Sequence, residues 1–235
     1  PTRRSSDLDS LDIVTLANSE NISTYDREDI PLLQEKSTKV LYRVDYASQA
    51  AILSDAAKLG AFLDKAIATA TELNLNGFAF TGMPLYSGTE AELAARKEAA
   101  KLIVSRLSAA ASGDKLLVLD GDPAFVETSD IEKLDYIVLN TVDITNVTTL
   151  KLLVTGLLDN QSLPKEKLLL AAKINNQIID ETNVKQDAVT VMTERVVSLG
   201  PLGGLAIFAT GDDYYQTKMH YAITRTAIQL MNPSN

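Results

Sequence analysis

The chain has 235 residues, of which 46% are hydrophobic, with no Cys, no Trp, a single His and a net charge of −9. The lack of Cys excludes disulfides, thiolate catalysis and Cys-bound zinc. We expect neither a metal nor a cofactor. The acidic net charge argues against nucleic acid or an anionic membrane surface as a partner. The length fits one barrel-sized domain with a full core, and no run approaches the ~20 apolar residues of a membrane span.

The N-terminal residues differ from the rest of the chain. Residues 1–8 read P-T-R-R-S-S-D-L and lack the apolar segment of a secretory signal. They resemble the translation of a sequencing adapter, so we expect a non-native tail that lies outside the fold. We therefore place a single domain at residues 9–235, and we expect a first strand and any export signal to be missing upstream of Asp9.

Strand and helix patterns alternate along the domain. Short continuous apolar runs are typical of parallel strands buried on both faces, and longer runs with a period of 3.6 are typical of helices. The sequence predicts seven strands, at 11–17, 38–46, 77–81, 115–119, 136–141, 167–174 and 205–210. Between and after them it predicts a short helix or loop at 30–35, a short helix at 130–134, and helices at 49–73, 90–110, 147–158, 188–199 and 215–231. Thr89 is the predicted N-cap of the helix at 90–110.

Seven strands, most of them followed by a helix, indicate an α/β fold built from repeated βα units. Such units form either a closed barrel or an open, Rossmann-like sheet. The absence of a Gly-rich first turn favours the barrel. We therefore predict a TIM (β/α)8-type barrel that lacks its first strand, and the open sheet is the alternative.

Polar and aromatic residues follow the predicted strands. In a parallel barrel, ligands contact the loops at the carboxyl ends of the strands. The candidate ligand-binding residues at these ends are Asp45, Tyr46, Asp120, Asp122, Asn140, Asp143, Asp213, Tyr214 and Tyr215.

Several of these residues also have an ordinary structural interpretation. Asp120 and Asp122 are typical of a turn, Asp213 is typical of a helix cap, and Asp45 could form an ion pair with a neighbouring Arg. Lys173 alternates within a strand and could be buried against a carboxylate. His220 is expected in the middle of the last helix, without a catalytic role.

Several segments at the strand ends carry recognisable motifs. Residues 75–83 read L-N-G-F-A-F-T-G-M, and this segment resembles the fourth strand of glycoside hydrolase family 18, where the family carries D-G-x-D-x-D-x-E. Residues 116–123, L-L-V-L-D-G-D-P, are similar to the fifth strand of the Bacteroidetes-type members. Residues 39–46, 135–140 and 203–214 resemble their third, sixth and eighth strands. The chain from residue 9 onward thus resembles an endo-β-N-acetylglucosaminidase or chitinase.

The chain departs from this family at the catalytic positions. Met83 stands where the family has its general acid, Thr81 and Ala79 stand at the two preceding aspartates, and Val142 replaces a Tyr after the sixth strand. The resemblance implies substrate-assisted chemistry, in which a carboxylic acid protonates the leaving oxygen. A thioether has no proton to donate. We therefore expect no catalytic residue, and a pseudoenzyme rather than an active hydrolase.

The expected function is therefore binding of glycans that contain N-acetylglucosamine, such as N-glycans or chitooligosaccharides. The resemblance further implies an extracellular lipoprotein on a Bacteroidetes cell surface, which captures glycans for partner proteins of glycan uptake. Sugar binders usually stack their ligand on aromatic rings, and without Trp the candidates for this role are Tyr46, Tyr86, Phe125, Tyr214 and Tyr215.

Two other functions remain open. The chain could be an active hydrolase that uses displaced acids, for which the candidates are Asp120, Asp122, Asp143 and Asp213. It could also be a structural scaffold for other chains, which an exposed apolar surface would favour.

Overall fold

Parallel strands and the helices between them make up the fold. The structure is a computed structural model that describes residues 11–83, 86–214 and 221–232, without the side chains of Ala47 and Tyr214. The strands are β1 (Ile13–Leu16), β2 (Lys39–Val44), β3 (Gly77–Thr81), β4 (Leu116–Asp120), β5 (Tyr136–Val138), β6 (Leu168–Lys173), β7 (Gln177–Ile179), β8 (Lys185–Asp187) and β9 (Gly204–Phe208). β7 and β8 pair only with each other, and the other seven form one sheet in chain order.

Helices alternate with these strands. They are α1 (Thr24–Glu35), α2 (Ala56–Glu72), α3 (Glu90–Ala110), α4 (Thr128–Ile131), α5 (Val147–Asn160), α6 (Ala188–Ser198), α7 (Thr210–Tyr214) and α8 (Ala222–Met231). The arrangement is that of a TIM (β/α)8-type barrel with one strand fewer than eight, which confirms the predicted fold class. Among the described residues, no helix combines the length and the apolar character needed to cross a membrane.

The chain divides into two compact units, with the boundary inside β5, between Ile137 and Val138. In the first unit, β1 to β4 pair in parallel, each with the next along the chain. Its core combines side chains of the strands with those of α2 and α3, and each of these residues is 0% exposed: Val44, Leu63, Phe80, Ile103 and Leu119. Burial of each such side chain contributes roughly 1.5–3 kcal/mol.

Capping residues fix where the helices of the first unit begin. Thr89 accepts a hydrogen bond from the Glu92 main chain while the Glu92 carboxylate accepts one from the Thr89 N–H, and this capping box confirms the predicted start of α3. Ser23 and Asp26 form the same motif at α1. The sequence analysis predicted only residues 30–35 there, because the first turns of α1 are polar.

In the second unit, β6 and β9 pair in parallel. The core is formed by residues of α5, β6 and α6 that are 0% exposed: Leu150, Val154, Leu168, Leu170 and Val189. The hairpin of β7 and β8 follows β6, and its main chain is tied to the loop after β5, because the Ile179 N–H donates to the Thr145 carbonyl at 2.8 Å. The hairpin therefore holds the loops after β5 and β6 together.

Several predicted boundaries differ from those in the structure. The predicted helix at 49–73 is a 3₁₀ segment at Ala47–Ile52 followed by α2, because Asp55 caps a new helix by accepting from the Lys58 N–H. The last predicted helix was placed at 215–231, but α8 begins at Ala222. Residues 215–220, including Tyr215 and His220, lie outside the described residues.

Candidate functional site

Polar side chains meet at the carboxyl ends of β2, β3 and β4 in the first unit. Arg43 is the register partner of Ala79, and Thr81 is the partner of Asp120. Register partners project from the same face of a sheet, and so do residues two apart on a strand. Arg43, Asp45, Thr81 and Asp120 therefore lie on one face, and we call these four residues the strand-end cluster.

Hydrogen bonds and one ion pair connect three members of the strand-end cluster. The Arg43 Nη2 atom lies 3.6 Å from the Asp45 Oδ2 atom. The Thr81 hydroxyl donates to Asp45 Oδ1 at 3.3 Å and accepts from the Tyr46 N–H at 2.8 Å. The Thr81 hydroxyl therefore already donates and accepts hydrogen bonds within the protein, and Thr81 is only 8% exposed.

The structure places the three degenerate positions on or just after β3. Ala79 and Thr81 belong to the strand and are buried, and Met83 follows it and is half-buried. None of the three side chains carries an acid. The end of β3 in the first unit therefore presents a methyl group, a committed hydroxyl and a thioether where the family resemblance placed carboxyl groups.

Asp120 differs from the other carboxylates of this region. It is half-buried at the end of β4, and burial raises the pKa of its carboxyl group above the ordinary value. The nearby Arg43 opposes this rise in the pKa, while the like charge of Asp45 adds to it. None of the described residues forms a hydrogen bond or a salt bridge with its side chain.

Three other predicted ligand contacts in the first unit have structural partners. Asp45 is held by Arg43 and Thr81. Asp122 is exposed, and its carboxylate accepts from the Ala124 N–H at 2.9 Å, as expected of a turn. Tyr46 is 0% exposed and its ring packs edge-on against Phe62, so in this structure it offers no face to a sugar.

Phe125 and Tyr86 are the other candidate aromatic platforms of the first unit. Phe125 is 1% exposed, which also removes it from the surface. Tyr86 is 82% exposed and precedes Ser87, whose carbonyl accepts a hydrogen bond from Arg96. Tyr86 is therefore the accessible member of the pair.

In the second unit, the predicted contacts after β5 lie at the surface. Asn140 and Asp143 are exposed, and Val142 is half-buried with its carbonyl accepting from Asn176 Nδ2 at 3.2 Å. The strand itself ends at Val138, before the predicted end at 141. The Thr141 hydroxyl, which is 0% exposed, donates to the Ala171 carbonyl and accepts from the Ala171 N–H, both at 2.7 Å. Beyond the end of β5, the Thr141 side chain therefore forms the hydrogen bonds to β6 that main-chain groups would form in a continued strand.

Asp213 is a helix cap, as its alternative interpretation predicted. It is 0% exposed, and its carboxylate accepts from the Ile223 N–H and from both the N–H and the hydroxyl of Thr224, at 2.8–3.1 Å. Its oxygens are therefore occupied at the start of α8. Of its predicted neighbours, the Tyr214 side chain and all of Tyr215 lie outside the described part of the chain.

Replacing Asp213 by Ala is expected to lower the free energy of unfolding by about 2–3 kcal/mol, because three hydrogen bonds to a buried carboxylate are lost. Urea unfolding followed by circular dichroism measures this change. Asp212→Ala is the matched control, because Asp212 is exposed and the expected change is below about 0.5 kcal/mol. Equal stabilities for the two variants would contradict the capping role.

The end of β9 presents an aromatic residue that the sequence analysis missed. Phe208 is the last residue of β9 and is 37% exposed. Its register partner is Lys173, so both side chains lie on one face of the sheet. Lys173 could have been buried against a carboxylate, but the structure shows it exposed as the last residue of β6. The predicted strand at 205–210 ran two residues past the observed end of β9, so the sequence did not place Phe208 at a strand end.

The described residues contain no group of three or more His, Cys, Asp or Glu side chains placed to hold a metal ion. The chemistry of the described site is therefore that of hydroxyl, carboxylate, guanidinium and aromatic groups.

Comparison with solved structures places this arrangement in a known fold. A glycoside hydrolase family 18 chitinase from Pseudoalteromonas aurantia superposes with a TM-score of 0.68 at 14% identity, over 97% of this chain and 96% of that chain. A chitinase-like agglutinin from Robinia pseudoacacia gives 0.68 at 14% identity, over 96% of each chain. A mutant endo-β-N-acetylglucosaminidase from Cordyceps militaris, in complex with fucosyl-N-acetylglucosamine-Asn, gives 0.65 at 15% identity, over 96% of this chain and 82% of that chain.

The chain therefore has the fold of glycoside hydrolase family 18 chitinases and endo-β-N-acetylglucosaminidases. This confirms the fold that the resemblance of the strand-end segments to family 18 implied. No protein-family model matches the sequence, and no curated protein matches it in a sequence comparison.

Proposed function

We propose that this protein binds glycans containing N-acetylglucosamine at the carboxyl ends of its strands and does not hydrolyse them. The observation that carries the proposal is the end of β3, where Ala79, Thr81 and Met83, the residues at the positions that the resemblance assigns to the family's acidic motif, include no acid. Hydrolysis needs a group that protonates the leaving oxygen. A methyl group and a thioether have no such proton, and the Thr81 hydroxyl already donates to Asp45.

Exposed groups at the strand ends supply contacts for a sugar. Phe208 offers an accessible ring, and aromatic rings are apolar surfaces on which sugars stack. Asn140 and Asp143 are exposed and can bond sugar hydroxyls. These exposed groups of the second unit can therefore contact a sugar.

The structural comparisons support a glycan as the ligand. One protein with the same fold is an agglutinin, and another was solved with fucosyl-N-acetylglucosamine-Asn bound. Binding without cleavage is therefore compatible with the fold.

Calorimetry with triacetylchitotriose and with a high-mannose N-glycan tests the proposal. We expect binding of at least one of these ligands and no release of free glycan from a high-mannose glycoprotein. Phe208→Ala is expected to weaken binding about tenfold, or 1.4 kcal/mol, through loss of the stacking surface. Leu152→Ala is the control, because Leu152 is 70% exposed on α5, away from the strand ends, and its affinity should equal that of the wild type. Absence of binding to every N-acetylglucosamine ligand would contradict the proposal.

An active hydrolase with a displaced acid is the second candidate function, and Asp120 is the observation that favours it. Burial raises the pKa of its carboxyl group, which is a property of catalytic acids. Asp122 and Asp213 are engaged in a turn and a helix cap. Glycan release that is abolished by Asp120→Asn or Asp122→Asn would establish this function in place of the first.

We further propose an extracellular location on a Bacteroidetes cell surface, as a lipoprotein that acts with partner proteins of glycan uptake. The support is the resemblance of the strand ends to members of that group. Digestion of the protein by protease added to intact cells tests the location, and full protection in intact cells would contradict it.

A further inference from the structure

The main chain holds Asp120 firmly at the end of β4. Its carbonyl accepts from the Gly82 N–H at 3.0 Å, which ties the ends of β3 and β4 together. The following residue, Gly121, has a φ of +147°, and a Cβ there would lie 3.2 Å from the Gly82 nitrogen. The close packing of the two glycines leaves little freedom for the Asp120 backbone. The point on the backbone from which the Asp120 carboxylate projects is therefore fixed.

The carboxylate of Asp120 lacks the partners that neighbouring aspartates have. Asp45 pairs with Arg43 and accepts from Thr81, and Asp122 accepts from a main-chain N–H. The residues described in the structure provide no hydrogen bond or salt bridge to Asp120, although it is half-buried. The Asp120 oxygens are not among the fully buried polar atoms that lack a partner, so they remain accessible, and a ligand hydroxyl or amine can donate to them.

The charges of the strand-end cluster determine which ligands it accepts. The cluster holds one cation, Arg43, which lies 3.6 Å from Asp45. Two carboxylates and one guanidinium leave a net negative charge in the cluster, and Asp120 is the carboxylate to which no described residue gives a hydrogen bond or salt bridge. An anionic group on a ligand would be repelled there, while neutral donors would be attracted.

We propose that Asp120 anchors a sugar hydroxyl of the bound glycan and makes the site selective for glycans without sulfate or carboxylate groups at the contacting sugar. This inference rests on the glycan-binding function proposed above and names the residue and the ligand class of that site. Asp120 acts as a hydrogen-bond acceptor, and no bond is broken.

The first test compares affinities for triacetylchitotriose by calorimetry. We expect Asp120→Asn to bind about tenfold more weakly than the wild type, because a charge-assisted hydrogen bond is replaced by a neutral one. Asp114→Asn is the matched control. It makes the same chemical change at the amino end of the same strand, at a side chain that is 94% exposed, and its affinity should equal that of the wild type.

The second test is the pH dependence of that affinity. Sugar donors stabilise the ionised carboxylate, so the affinity is full above the pKa of Asp120 and falls as the pH falls through it. Because burial raises this pKa, the fall begins at a higher pH than for an exposed Asp. The charged groups near Asp120 are Arg43 of β2 and Asp45, which directly follows β2. β3 contributes no titratable side chain, and β5 carries Tyr136 as its first residue. In Asp120→Asn the fall in affinity at low pH should disappear. If Asp120 had only a structural role, the substitution would not remove this fall.

The third test compares triacetylchitotriose with its 6-O-sulfated form. The wild type should prefer the neutral sugar by about tenfold or more, and Asp120→Asn should narrow that difference. Equal affinities of wild type and Asp120→Asn for the neutral sugar at every pH, or equal binding of both sugars by the wild type, would overturn this inference and leave the proposed function standing. A wild type that binds neither sugar nor the N-glycan would overturn the proposed function itself.

Discussion

Replacing Gly77 by Ala is expected to lower the free energy of unfolding by about 4 kcal/mol, because a side chain at this position has no space. Gly77 begins β3 with a φ of +133°, and an added Cβ would overlap the main-chain atoms of Leu116 in β4. Either the pairing of β3 with β4 must open or the backbone must shift. Chemical unfolding monitored by circular dichroism measures the loss.

Gly113→Ala separates the steric overlap from the backbone strain. Gly113 also has a positive φ, +79°, but no atom lies within 4 Å of the place its Cβ would take. Its substitution should cost only the strain of about 1–2 kcal/mol. If both variants lose the same stability, the close approach of β3 to β4 at Gly77 is not what requires glycine.

Replacing Tyr46 by Ala is expected to lower the free energy of unfolding by about 3–5 kcal/mol, the usual cost of removing a buried aromatic ring. Tyr46 is 0% exposed and its ring centroid lies 6.0 Å from that of Phe62 in α2. The substitution leaves a cavity between the end of β2 and α2. Thermal and urea unfolding of the variant measure the effect.

Tyr46→Phe is the matched control, and its expected effect has the opposite sign. The Tyr46 hydroxyl is buried, and the described residues offer it no hydrogen-bond partner. Burial also raises the pKa of this phenol far above its ordinary value. Removing an unsatisfied hydroxyl should therefore raise the stability by about 1 kcal/mol. A clear loss of stability in Tyr46→Phe would show that the hydroxyl has a partner.

The strands were predicted well because burial on both faces leaves a strong signal. β3 is a run of five residues that are all buried, and its predicted limits, 77–81, are those of the structure. α3 was also predicted with its full length, since Thr89 and Glu92 carry the capping signal in the sequence itself. Local chemistry determines such elements, so the sequence suffices to place them.

Short elements with polar faces were missed for the opposite reason. β7 and β8 have three residues each, and half of these six residues are exposed. The turn between them depends on Asp180, which accepts from the N–H groups of Thr182 and Val184. The Gln186 side chain also donates to Asp180, and this bond, together with those from Val184 and Thr182, lowers the pKa of the Asp180 carboxyl group. A turn that is held by hydrogen bonds to one of its own side chains leaves no periodic pattern of hydrophobic residues in the sequence, so the hairpin could not be predicted from such a pattern.

The sequence placed most candidate site residues at strand ends but did not show which of them have partners. Asp45, Asp120 and Asp213 are all aspartates that follow strand patterns, and they look alike in the sequence. In the structure, Asp45 pairs with Arg43 and accepts from Thr81, Asp213 caps α8 from a fully buried position, and half-buried Asp120 has no hydrogen bond or salt bridge from the described residues. Burial and the bonds from Thr81 and Thr224 arise only when separate segments pack together, so only the fold distinguishes the three.

The sequence by itself determined the order of strands and helices, the class of fold and the lack of an acid at Ala79, Thr81 and Met83. These follow from residue identity and from periods of two and 3.6, which are local properties. The tertiary structure decided that Tyr46 is buried, that Phe208 and Lys173 are exposed, and that Asp120 lies beside Thr81 with no hydrogen bond or salt bridge from the described residues. Burial and pairing arise when strands that are tens of residues apart come into register, and the energies of those contacts belong to the folded chain as a whole.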